Sequence, residues 1–303
     1  MIENKYLIGQ ILQNYESAQS YSREMDYYNE KRLLADGEYS DVYYALKSAD
    51  IDLQKAEYFG DEEKVEILRT EKARLERKKS ELEQNFGYFK KDKVYACDKC
   101  KDSGKTADGF CHCFYEKLTD LAYTELEVRK HRLNDFSDDT LTETEQRMRT
   151  EKLYSYARNF STDSKNLLFI GSPGTGKTFL SSAIANEVAK KNYNVIYLTA
   201  CELNQILVNY HTAPLYKKQT VFDVLSSCDL LVIDDLGTEP IFKNVTVEYL
   251  LSIISERDAN RKPYVISTNL SLEKLLERYG ERIFSRLKSK NTVKLLFGGK
   301  DLR

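Results

Sequence analysis

From Asp41 to Phe59, apolar side chains recur at Val42, Leu46, Ala49, Leu53 and Ala56, steps of four and three that lay one stripe along a helix. Gly60 and Asp61 read as a stop and a new start, and Glu62 and Glu63 complement the positive end of a second helix. Along it, Val65, Leu68, Leu75, Leu82 and Phe86 form another stripe, so an antiparallel helical hairpin is expected here. Near Asn166 the pattern changes. Short apolar runs (NLLFIG, NVIYLTA, DLLVIDDLG, PYVISTN, TVKLLF) alternate with helical stretches, which predicts a parallel sheet covered by helices. Between the two textures, residues 114–160 are polar, with helical patches and the break NDFSDDTLTE, and read as a connector.

The 303-residue length fits a large domain plus a smaller module. No run approaches the ~18 consecutive apolar residues that a membrane helix needs. The first residues, MIENKYLIGQILQNYESAQS, lack the basic and apolar blocks of a secretory signal, so a reducing, cytoplasmic setting and no membrane association are expected. A formal net charge of −2 provides no global basic field for nucleic acid. Residues 1–90 hold 14 basic against 19 acidic side chains, which suits a protein partner better than DNA. The competing reading is that their stripes only pack on each other or on the chain's own core.

The loop GSPGTGKT follows the strand NLLFI and opens the helix FLSSAIANEVAKK. It runs through Gly171, Ser172, Pro173, Gly174, Thr175, Gly176, Lys177 and Thr178. In that context glycines let backbone N–H groups turn toward phosphate oxygens, and the helix N-terminus favours negative charge. Lys177 would reach the β and γ phosphates, and the Thr178 hydroxyl would ligate Mg2+. In LLVIDDLG the apolar run carries Asp234 to the carboxyl edge of a buried strand, where it is the candidate Mg2+ ligand. Asp235 is the candidate base for the attacking water, with Glu239 a weaker alternative. VISTN ends a further strand at Asn269, whose amide is a candidate to orient that water. In GERIFSRL, Arg282 and Arg286 lie four apart, on one helical face, where they serve either a neighbouring subunit's nucleotide or ordinary salt bridges.

Cys97 and Cys100 form C-x2-C, ten residues intervene, and Cys111 and Cys113 form C-x-C, with DSG and ADG supplying turns between them. Four thiolates so spaced would close a tetrahedral Zn2+ site that folds a segment too small to build its own core. A redox switch, unligated cysteines and substitution of His112 for a neighbour are the other readings. Cys201 and Cys228 flank apolar runs and are expected to pack as small buried hydrophobes.

GSPGTGKT, LLVIDDLG, VISTN and GERIFSRL, in this order, resemble the AAA+ ATPases of the DnaC/DnaI and IstB group over about residues 160–303. The resemblance implies an α/β AAA+ P-loop ATPase with a parallel sheet, preceded by an α-helical N-terminal region and a small zinc-binding hairpin. It implies side-by-side self-assembly, Asn269 as sensor 1 and Arg282 or Arg286 as the arginine finger in trans. The chain stops soon after its last strand, at FGGKDLR, so no helical lid and no sensor 2 arginine are expected. The implied organisation is a helical partner-binding region at 1–90, a four-cysteine zinc module at 91–116, a connector at 117–160 and the ATPase domain at 161–303. This layout is similar to bacterial replicative helicase loaders, which implies ATP, Mg2+ and Zn2+ as cofactors, slow switch-like hydrolysis, and the helicase and single-stranded DNA as partners. Transposition helpers of the IstB type, which coat duplex DNA and recruit a transposase, share the ATPase but usually begin close to it. A non-catalytic adaptor is the third reading.

For DNA, the segment NYHTAPLYKKQTVF interleaves Tyr210, His211, Tyr216, Lys217, Lys218 and Phe222. Aromatics stack on bases while lysines neutralise phosphates. An amphipathic helix with core aromatics and solvated lysines has the same pattern, and the resemblance, which implies an extra helix near the DNA path here, favours the first reading.

Overall fold

The computed structural model describes residues 5–86, 95–107, 109–138 and 144–298. Residues 87–94, where the expected partner-binding region meets the cysteine module, lie outside these, as do 1–4, residue 108, residues 139–143 of the expected break and the closing residues 299–303. The chain divides into two compact units, Asn14–Ser103 and Met1–Gln13 with Gly104–Arg303. Among the described residues no helix is long and apolar enough to cross a membrane.

The first helix, α1 (Lys5–Leu34), lies where the stripe pattern marks no element. The predicted hairpin is α2 (Gly37–Phe59) and α3 (Glu62–Asn85). Asp36 starts α2 by accepting the Tyr39 N–H at 2.9 Å, and Asp61 starts α3 by accepting the Lys64 N–H at 3.2 Å. Between them Gly60 closes α2 in the left-handed conformation. Val42, Ala49 and Leu75 are buried together, flanked by Leu46 and Leu82. The stripes therefore pack on each other, although Phe86 at the end of the second one is exposed. Surface pairs, the half-buried Lys72–Asp50 (2.6 Å) and the exposed Lys78–Glu38 (3.0 Å), cross the hairpin. Water screens such pairs, so the thin apolar seam carries most of the association.

In the other unit, β1 (Lys105–Thr106) and β2 (Gly109–Phe110) make a small antiparallel hairpin, followed by α4 (His112–Leu126) and α5 (Thr144–Arg158). Then come β3 (Asn166–Gly171), α6 (Lys177–Ala189), β4 (Val195–Thr199), α7 (Ala200–Thr212), α8 (Leu215–Ser227) and β5 (Leu230–Leu236). The unit ends with α9 (Thr246–Ala259), β6 (Tyr264–Thr268), α10 (Leu272–Leu287) and β7 (Thr292–Phe297). The last five strands form one parallel sheet in the order β4-β5-β6-β3-β7. The three inner strands β5, β6 and β3 are buried almost throughout, as in a parallel sheet covered on both faces. Leu167, Phe169, Val195, Val232 and Val265 pack on one side with Leu180, Ile184 and Val188 of α6.

Two expectations change here. Of residues 117–160, expected as a connector, the described stretches 117–138 and 144–160 are built into the ATPase unit. On α4, Phe114, Leu118, Ala122 and Leu126 are buried at steps of four that the intervening charges obscure in the sequence. Beside them, the Tyr123 hydroxyl donates to the Tyr197 carbonyl (2.9 Å) and accepts its N–H (2.8 Å), satisfying the open edge of β4. Leu153, Ala157 and Phe160 join the same core as α6. The second change concerns the lone cysteines: Cys228 is buried as expected, but Cys201 is exposed near the start of α7, with its sulfur 3.7 Å from the Thr238 hydroxyl.

Candidate nucleotide site

β3 delivers the phosphate loop against β7. A Cβ on Gly171 would lie 2.0 Å from the Phe297 carbonyl oxygen, so only glycine allows the strand to end there. Gly176 takes φ 88° and caps α6, turning the loop so that the helix begins at Lys177. Thr175 is buried and its hydroxyl holds the Ser172 carbonyl at 2.8 Å. Lys177 donates to the carbonyls of Gly171 and Ser172, each at 2.7 Å, which folds its ammonium across the mouth of the loop. Thr178 is exposed at the first turn of α6.

Because β6 lies between β3 and β5, its carboxyl end stands between the phosphate loop and the two acids. Asp234 is buried, and its Oδ1 accepts hydroxyls from Ser267 of β6 at 2.6 Å and Ser181 of α6 at 3.2 Å. The pairing of β5 with β6 shifts register between Ile233 and Leu236, and inside that irregularity Asp235 adopts φ 58°. A left-handed aspartate costs about 1 kcal/mol, and the bulge re-aims its side chain. It is held by its own N–H to Ser267 Oγ (2.8 Å) and by Asn269 Nδ2 donating to its Oδ1 (2.5 Å). Burial pushes the Asp235 carboxyl above the ordinary range, the Asp234 charge adds to this, and nearby Lys177 pulls the other way. Asn269 thus touches the candidate base itself.

Ser181, Ser267 and Tyr197, whose hydroxyl interacts with Asp234 and is held protonated mainly by burial, are parts of the site that the sequence reading missed. Glu239 is a correction. It is 2% exposed and its oxygens are occupied by the Tyr279 hydroxyl and the Gly237 N–H, so it is closed to an incoming water and unsuited to be the base. Arg282 is exposed, whereas Arg286 is half-buried and its Nη1 is spent on the Arg282 carbonyl at 2.9 Å.

The sequence profile of the IstB-like ATP binding proteins matches residues 117–286, more than half of the chain. The chain belongs to this family. The match begins within α4, in agreement with the burial of that helix in the ATPase unit. The replicative helicase loader DnaC of Escherichia coli K12 is 28% identical over 148 residues, 48% of this chain and 59% of DnaC. The uncharacterized protein YdaV of the same strain is 32% identical over 158 residues, 52% of this chain and 62% of its own length. A solved DnaC helicase loader is 25% identical, with a TM-score of 0.47, over 54% of this chain and 96% of that one. The chain thus spans about three-fifths of the length of the curated DnaC it matches. The match is to an ATP-binding family, and the sheet has the AAA+ arrangement with the candidate phosphate loop at the end of β3.

Elsewhere in this family member, the sulfurs of Cys97, Cys100, Cys111 and Cys113 lie within 4.8 Å of one another. A tetrahedral zinc with ~2.3 Å bonds needs sulfurs near ~3.8 Å apart, so the set fits a small contraction around one ion. Asp102 braces the first pair by accepting the N–H groups of Ala96 (3.0 Å) and Cys97 (2.9 Å). His112 Nδ1 sits 3.3 Å from Cys111 Sγ, a neighbour of the cluster.

The candidate DNA segment forms the end of α7 and the start of α8, and most of it is engaged internally. Tyr210 packs edge-on against Tyr249 at 4.8 Å, and His211 Nδ1 lies 2.8 Å from the Tyr249 hydroxyl. Lys217 pairs with Glu127, and Lys218 donates to the His211 carbonyl at 2.9 Å. Phe222 is half-buried; Leu215 and Tyr216 are exposed, at 83% and 77%.

Proposed function

We propose that this chain is an ATP-dependent loader that binds the replicative DNA helicase and delivers it to single-stranded DNA. The observation that carries the chemistry is the convergence of Asp234, Asp235 and Asn269 beside Lys177 at the carboxyl end of one sheet. The similarity to DnaC, named as a replicative helicase loader, supports the biological role. It also disfavours the transposition helper.

Backbone N–H groups of residues 174–178 and Lys177 would hold the phosphates, and Thr178 and Asp234 would hold Mg2+. The bound nucleotide and metal supply a phosphoanhydride and the charge neutralisation that lets it be cleaved. Asp235, bonded by Asn269, would take the proton of the attacking water, and its raised proton affinity suits that task. Arg282, the more exposed of the two arginines, is the better candidate to reach the site of an adjacent subunit. Slow hydrolysis then works as an assembly switch. The acidic helical region before the cysteines would grip the helicase, the four-cysteine cluster would hold a structural Zn2+, and Tyr216 would offer a stacking face to bases. Such a protein works in the cytoplasm.

The test is helicase loading onto a closed single-stranded circle. With the cognate helicase, the chain and ATP, unwinding of an annealed oligonucleotide should rise well above helicase alone, and Lys177→Ala should abolish the rise. Equal unwinding with and without the chain would refute the loader reading.

A further inference from the structure

α10 is two helical segments, because Gly280 stands between them at φ 76° and ψ 169°. The first segment ends in Arg278 and Tyr279, and both close on one buried residue. Glu239 Oε2 accepts the Gly237 N–H at 2.9 Å, and its Oε1 accepts the Tyr279 hydroxyl. The Arg278 guanidinium donates to the Glu239 carbonyl, and its Nε lies 4.0 Å from Oε1. Burying a carboxylate is costly unless both oxygens are bonded, and here each oxygen is bonded to a different element. One oxygen holds the turn that begins at Asp235, and the other holds the residue immediately before the kink. Beyond the kink, Ile283 and Leu287 are buried and fix the segment that carries Arg282 and Arg286. The Thr238 hydroxyl closes the turn on the Asp235 carbonyl, so contacts run from Asp235, itself bonded to Asn269, through the turn and Glu239 to Tyr279, the residue before the kink.

We propose that Glu239, acting through Tyr279, is a positioning residue that sets the arginine a subunit presents to its neighbour according to the Asp235 turn of its own nucleotide site. This rests on the trans role given above to Arg282 or Arg286. Its consequence is directional: the state of one site tunes hydrolysis in the next, not in itself.

The experiment uses the full chain. Tyr279→Phe removes one hydroxyl and keeps the ring in the core, and Glu239→Gln keeps a carbonyl acceptor while removing the charge. Each is compared with wild type for thermal midpoint, affinity for a non-hydrolysable ATP analogue, and kcat and KM under assembling conditions. Each is then mixed with Asp235→Asn, which keeps the phosphate loop and the backbone of the turn, so that it binds nucleotide without hydrolysing it and its arginine segment is set as in wild type. Tyr279→Phe should bind the analogue within about twofold of wild type and lose roughly tenfold in kcat with KM little changed. Adding Asp235→Asn should restore the rate, and Glu239→Gln should behave alike with a smaller loss. A wild-type kcat in Tyr279→Phe overturns the proposal. So does a loss that Asp235→Asn cannot restore, when the double variant Arg282→Ala/Arg286→Ala is restored by the same mixing, because Tyr279 would then serve its own site. A double variant that loses no rate at all removes the trans arginine reading, and the proposal falls with it.

Discussion

Charge is handled in opposite ways at the end of β5 and in the aromatic–basic segment of α7 and α8. Asp234 and Asp235 are bonded by neutral donors, two serine hydroxyls and an amide, so their negative charge is fixed in place but not cancelled. Lys217 is cancelled by Glu127, and Lys218 is spent on a helix-end carbonyl. A charge oriented by neutral groups is available to a ligand, and a charge already paired must first be freed. The contrast also explains why two sequence motifs that looked equally chemical differ in the folded chain: one lies where a strand must end, and the other satisfies the ends of its own helices.

The largest effect that tests this contrast is at Asp234. Asp234→Ala should lower steady-state ATP hydrolysis by about 100-fold or more, the scale of losing a key electrostatic group at a phosphoryl-transfer site. Asn269→Ala should cost roughly 10- to 100-fold in kcat with KM nearly unchanged, because its amide holds Asp235, the proposed base. Asp235→Asn should abolish hydrolysis yet raise the thermal midpoint at neutral pH. Its folded carboxyl is shifted upward, so the ionised form is a cost to the fold, and the gain should vanish once the pH falls below the ordinary carboxylate range. The cysteines extend the comparison to anions that need a cation: wild type should carry about one zinc per chain by elemental analysis, and Cys100→Ser about none, with a lower thermal midpoint. The smallest effect is expected at Lys217. Lys217→Ala should change single-stranded DNA affinity less than about twofold and leave its salt slope intact, whereas Tyr216→Ala should cost about 1–3 kcal/mol. A slope reduced by ~0.7 in Lys217→Ala would show that the Glu127 pair opens on binding and would break the comparison.

The phosphate loop and Asp234 were legible because their grammar is local: a strand, a glycine turn and a helix, or an apolar run that ends in acid. Ser181 and Ser267 were not, since they reach Asp234 from positions 53 and 33 residues away and have meaning only once the strands are side by side. The sheet could be read from its apolar runs, but α4 could not. Its buried Phe114, Leu118, Ala122 and Leu126 alternate with charged residues that face outward, and the mixture averages to a polar linker. Glu239 looked like a spare base because an acid near a strand end is chemically suggestive. Only its burial and the hydroxyl of Tyr279, 40 residues on, reveal a strut.

The most direct test of the loader is complex formation in solution, by size-exclusion chromatography with light scattering. The full chain, Mg2+ and ATP are mixed with the replicative hexameric helicase of the same organism, beside a variant lacking residues 1–90. The account predicts co-elution with the full chain and its loss with the deletion. Absence of a complex with the full chain, while it still binds nucleotide, would contradict it.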